Sequence, residues 1–138
     1  MAFLCEFYVE SSVCGYHVHK ETPVYIGEIL ECEIEVDNEH DIFAIIVKNY
    51  EEKPVGHVPI ELSKTFHQYL SDFGEVEAEC TGSRFNAGLG TGLELPVDYK
   101  FVGSERYLER VSTNLRKINE ELNIKNIRKS ELYFRYLN

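Results

Sequence analysis

The turn Asp37-Asn38-Glu39-His40-Asp41 sets carboxylates, an amide and an imidazole side by side between two apolar runs. Asn and Asp side chains bond to nearby backbone amides, so turn formation alone accounts for Asn38 and Asp41. His17 and His19 would share a strand face, a spacing that can hold a metal. No third or fourth ligand has a defined place, and no metal site is expected. His57, within Val55-Gly56-His57-Val58-Pro59, reads either as a half-buried histidine bonded to backbone or as a donor at a surface site. Gly88-Leu89-Gly90-Thr91-Gly92 lacks the Gly-Lys-Ser/Thr ending of a phosphate cradle and runs into an alternating segment, so a hairpin loop is expected. Glu31, Glu33, Glu35 and Glu75, Glu77, Glu79 read as the solvated face of two strands. The other reading is a docking surface for a basic partner. No motif orders a histidine, an aspartate and a nucleophile, so neither catalytic residues nor a cofactor are expected.

These groups are positioned by segments with a period of two. Leu30 to Val36 alternates apolar residues with three glutamates, Val76 to Cys80 repeats the device, and Leu93, Leu95, Val97, Tyr99 and Phe101 give a third set. With Phe3 to Val18, Ile42 to Lys48 and Lys53 to Val58 they make six strands. The expected fold is mainly β, a small six-stranded closed or partly open barrel of the OB or SH3-like kind. Two helices should flank it. One starts at Pro59 and runs to Ser71, placing Leu62, Phe66, Tyr69 and Leu70 on one side. Ser104 caps the other, whose stripe is Tyr107, Leu108, Val111, Leu115, Ile118 and Leu122.

The chain has 138 residues, enough for one core, and 43% of them are hydrophobic. Residues 1–120 are expected to form the barrel domain, and 121–138 an extension docked on the barrel or on a partner chain. The tail 126–138 is too apolar to stand in water alone. Cys5, Cys14, Cys32 and Cys80 contain no Cys-x-x-Cys pair, so free thiols are expected. The sequence shows neither a signal peptide nor a run of about 20 apolar residues, so an intracellular protein, nuclear or cytoplasmic, with no membrane contact is expected. Net charge is −13 over residues 1–100 and +3 over 101–138, giving −10 in all. So acidic a barrel is a poor general binder of phosphate backbones, whose affinity comes from Lys and Arg.

The stretch from Gly27 to Pro59 is the most diagnostic. It reads Gly-Glu-x-Leu, then Glu-x-Asp-Asn-x-x-Asp, then an apolar strand, then Val-Gly-His-Val-Pro. That order resembles the HIRAN domain, a small β-barrel module of helicase-like translocases that captures the free 3′ end of single-stranded DNA. The resemblance extends over about residues 3 to 120. It implies a binding cleft formed by Tyr16, His17, His40, Asp41, His57 and Leu93. Asp41 would accept a hydrogen bond from a terminal hydroxyl, and a carboxylate there would repel a terminal phosphate. His40 stands where tyrosine is common and would stack on a base. His57 would donate to a phosphate when protonated.

Three departures subtract from that site. An arginine usual near Tyr16 is missing, the lysines usual after His57 are replaced by Pro59, Ile60 and Glu61, and Leu93 stands at a position that can be aromatic. The resemblance therefore implies a non-catalytic module for single-stranded nucleic-acid ends. The alternative is a barrel that has lost DNA binding and serves protein interaction, with a basic protein or a second copy as partner.

Overall fold

A computed structural model of the chain describes residues 4–15, 22–72, 74–86 and 92–127. In chain order they form β1 (Leu4–Val13), β2 (Ile29–Ile34), β3 (Ile45–Lys48), β4 (Pro54–His57), α1 (Ile60–Ser71), β5 (Glu75–Cys80), β6 (Phe85–Asn86), β7 (Leu93–Ser104), α2 (Glu105–Ile118) and β8 (Ile124–Ile127). All pairings are antiparallel. The sheet order is β4-β3-β2-β5-β7-β1-β8, with β6 paired to β7. The six strands read from the alternating pattern are β1 to β5 and β7; β6 and β8 are additional.

The sheet curls until the end of β1 meets β4. There the contact is a single bridge, in which the Cys14 amide donates to the His57 carbonyl at 2.8 Å and the His57 amide donates to the Cys14 carbonyl at 2.9 Å. The barrel is thus partly open, because one bridge replaces a continuous ladder. Gly27 has φ of +90°, a backbone that side chains other than hydrogen rarely tolerate, and its amide donates to the Cys80 carbonyl at 2.8 Å. That turn leads into β2 beside β5.

Alternation sends one face of each strand inward. Leu30 lies opposite Ala78, and Val76 opposite Phe101, all buried. Phe7 stacks on Phe101 with ring centroids 4.8 Å apart, and Phe66 from α1 meets both Tyr99 and Phe101 edge-on. Such pairs add about 0.5–1.5 kcal/mol each beyond the area they bury. The outward face carries the glutamates. Glu31 stands directly opposite Glu77, so the two acidic ladders do form one patch, relieved by Lys48 Nζ at 2.9 Å from Glu33 and Lys100 Nζ at 3.8 Å from Glu6.

Helix α1 buries Leu62, Phe66 and Tyr69 against the barrel. Pro59 is its N-cap rather than its first residue, which shifts the start by one position. In α2 the Ser104 hydroxyl accepts from the Tyr107 amide at 3.3 Å, and Leu108, Val111 and Leu115 are buried. Ile118 is 43% exposed, and Leu122 lies past the end of the helix but still packs against the core with Tyr107. β8 pairs with β1 from Glu6↔Ile127 to Val9↔Ile124. The remaining tail, 128–138, lies outside the described residues, as do positions 87–91 of the glycine-rich loop.

Candidate functional site

An open cleft of about 340 Å³ lies where the barrel is closed by the single bridge. Its walls are Cys14 and Gly15 after β1, Asn38, Asp41 and Ala44 from the β2–β3 turn, His57 and Val58 from the end of β4, and Ile60 and Ser63 from the first turns of α1. Four separate chain segments meet there because β1 and β4 close on each other. Gly56 makes this possible, since a Cβ at that position would collide with the Cys14 carbonyl oxygen and come within 2.7 Å of Val13 Cγ1.

The β2–β3 turn is held by its own side chains. Asn38 Oδ1 accepts from the amides of His40 and Asp41, both at 2.9 Å, and Asn38 Nδ2 donates to Glu35 Oε1 at 2.7 Å. Asp41 Oδ1 accepts from the Phe43 amide at 2.9 Å. Asn38 therefore fixes the direction of Asp41, and one carboxylate oxygen of Asp41 is committed to the turn. Phe43 rests on α1, edge-on to His67 with ring centroids 5.4 Å apart and beneath Lys64 Nζ.

His57 does more than the sequence suggests. Its Nε2 lies 3.1 and 3.2 Å from the two oxygens of Glu35, which itself follows the end of β2. Glu35 thus ties the Asn38 turn to β4. Nε2 of His57 is thus engaged within the protein.

Of the residues implied by resemblance, Asp41 and His57 line the same cleft. His40 is exposed in the same turn but does not line it. Leu93 begins β7 opposite Asn86 of β6 and is not among the lining residues. Tyr16, His17 and His19 lie outside the described residues, directly after Gly15 of the cleft wall. Among the described residues there is no group of three or more His, Cys, Asp or Glu arranged to hold a metal ion.

Sequence reasoning missed a buried group behind the wall. Glu94 is only 8% exposed; Ser12 Oγ donates to its Oε1 at 2.6 Å and Cys14 Sγ to the same oxygen at 3.5 Å. Tyr99 OH donates to the Ser12 carbonyl at 2.6 Å. Burial, then the Glu94 carboxylate, pushes the Cys14 thiol up to about 11, so it stays protonated at neutral pH. Cys5, Cys32 and Cys80 are buried free thiols. Glu94 falls between Leu93 and Leu95, so the period of two in β7 would put it on the outer face, and its burial breaks that pattern.

The family model of the HIRAN domain matches residues 5–106. The chain belongs to the HIRAN domain family. The matched span holds the whole cleft, while most of α2 and all of β8 lie beyond it. Among solved structures, the crystal structure of the HIRAN domain of human HLTF is 22% identical, with a TM-score of 0.67, covering 88% of this chain and 97% of that one. The NMR structure of the HLTF HIRAN domain in its DNA-bound conformation is 23% identical, with a TM-score of 0.60, covering 80% and 87%. A crystal structure of a protein from Lactobacillus plantarum is 13% identical, with a TM-score of 0.56, covering 72% and 97%. These likenesses establish a shared HIRAN fold. No curated protein sequence matches.

Proposed function

We propose that this chain is a non-catalytic module that binds the 3′-hydroxyl end of single-stranded DNA in the cleft between the β2–β3 turn and α1. The observation that carries the reading is the Asp41 carboxylate, held at the cleft wall by Asn38. Membership of the HIRAN family and the likeness to a neighbour solved in a DNA-bound conformation support it. In this reading Asp41 accepts from the terminal hydroxyl, His40 stacks on a nearby base, and Tyr16, His17 and Leu93 complete the surroundings. Among the described residues no helix is long and apolar enough to cross a membrane; a DNA-end ligand would suit a protein of the nucleus or cytoplasm.

Fluorescence titration with short oligonucleotides ending in a 3′-hydroxyl or a 3′-phosphate tests this. The hydroxyl end should bind more tightly, and Asp41→Ala should weaken it about 10- to 100-fold, the worth of one hydrogen bond to a charged group. Equally negligible binding of both oligonucleotides removes the reading.

A second reading is favoured by charge: the described lining carries Asp41 and no Lys or Arg, in a chain of net −10. It makes the barrel a docking module for a basic protein or a second copy. Light scattering that finds only monomer across the accessible concentration range removes the self-association form.

A further inference from the structure

We propose that the cleft holds a strand end by its terminal nucleoside rather than by its phosphates, and that Ile60 sets this choice. The inference rests on the DNA-end reading above and specifies what part of the DNA is gripped. Single exposed aliphatic residues are ordinary on protein surfaces. Here Ile60 lines the cleft while 78% exposed, Ile42 follows Asp41 at 75%, and Val36 follows Glu35 at 90%. The cleft and its turn therefore present aliphatic surface where a phosphate-binding site would present cations.

Among the described lining residues there is no Lys or Arg, and the one imidazole, His57, has its Nε2 facing both Glu35 oxygens. The N-terminus of α1 opens on the cleft through Ile60 and Ser63, but its first turn carries Glu61, which takes the positive end of the helix dipole. Asp41, Glu35 and Glu61 all disfavour an incoming anion. A nucleoside fits the same inventory: its hydroxyl can donate to Asp41, and its base and sugar faces are apolar enough to lie on the exposed Ile60.

Salt dependence separates the two modes. For single strands, log affinity falls with log salt at about 0.7 per neutralised phosphate. Between about 50 and 200 mM NaCl, one phosphate contact means a loss of about threefold, whereas a loss above about tenfold needs more than two. An oligothymidylate with a 3′-hydroxyl should lose about threefold or less. Ile60→Ser should weaken binding at every salt concentration with the slope unchanged. Ile60→Lys should tighten binding at low salt and steepen the slope by one phosphate. Ile60 is exposed, so both variants should fold, which circular dichroism checks. A wild-type loss above tenfold overturns this inference and leaves the DNA-end reading standing. Unchanged affinity in Ile60→Ser removes the role given to Ile60. Absence of wild-type binding at every salt concentration removes the DNA-end reading and this inference with it.

Discussion

His57 and Glu35, 22 residues apart in the chain, meet with the imidazole Nε2 3.1 and 3.2 Å from the two carboxylate oxygens. Through Glu35 the pair ties the Asn38 turn to the end of β4, two segments that line the cleft. Both side chains are partly exposed, which limits the worth of the ion pair to about 1 kcal/mol or less.

Glu35→Ala removes this contact and the Asn38 Nδ2 hydrogen bond together. The expected cost is about 1–2 kcal/mol, read from urea unfolding. Glu35→Gln keeps an acceptor for Asn38 and should cost less than half as much.

Asn38 is the larger lever on the site. Asn38→Ala orphans the amides of His40 and Asp41, should cost about 1–3 kcal/mol, and should lower oligonucleotide affinity as far as Asp41→Ala does. Asn38→Asp retains the acceptor for both amides but sets a carboxylate against Glu35 Oε1 in place of the Nδ2 donor, so it should recover only part of the loss. Affinity in Asn38→Ala equal to wild type would show that the turn does not position Asp41.

Closure of the barrel depends on a missing side chain. Gly56→Ala forces a methyl group into the Cys14 carbonyl and Val13, and overpacking of this kind costs about 1–3 kcal/mol. Hydrogen exchange of the Cys14 and His57 amides should accelerate more than that of amides in β5. Equal acceleration everywhere would show that the bridge is not a separable contact.

Alkaline pH should loosen the fold by way of Cys14. Its thiol is raised from an ordinary 9.0 to about 11, chiefly by burial, so the native state holds a proton that the unfolded chain releases earlier. That stability is present below pH 9 and is lost as pH rises to about 11. The urea midpoint should fall over this window, and by less in Cys14→Ala. A midpoint that is flat from pH 9 to 11 contradicts the assignment.

Much of the fold was legible because local rules carried it. Leu30 to Ile34 alternates, and the structure buries Leu30 and Cys32; Ser104 looked like a cap, and its hydroxyl accepts from Tyr107. The Asp37–Asp41 turn announced itself through residues that bond to their own backbone. The cleft was less legible because its contacts depend on register between distant strands. Nothing local pairs Glu35 with His57, and the alternation that put Glu35 on an outer face was silent about what lay opposite. Leu93, assigned to the cleft by resemblance, pairs with Asn86 at the start of β7 and is not among the described lining residues. Glu94 was hidden for a different reason: a carboxylate is seldom buried, and the Ser12 and Cys14 donors help make this one tolerable.

The register of β1 against β7 also sets an order of assembly. It runs from Leu4↔Ser104 to Val13↔Leu95, so the first strand emerges from the ribosome and waits for a partner some eighty to a hundred residues later. At about 5–20 residues per second that delay is several seconds. The meander of β2, β3 and β4, joined by short turns, can pair during the wait, but Cys14 cannot be set against His57 until β1 is seated. The nascent chain would therefore carry the Asn38 turn ready-made and acquire the opposite wall only once β7 has been made.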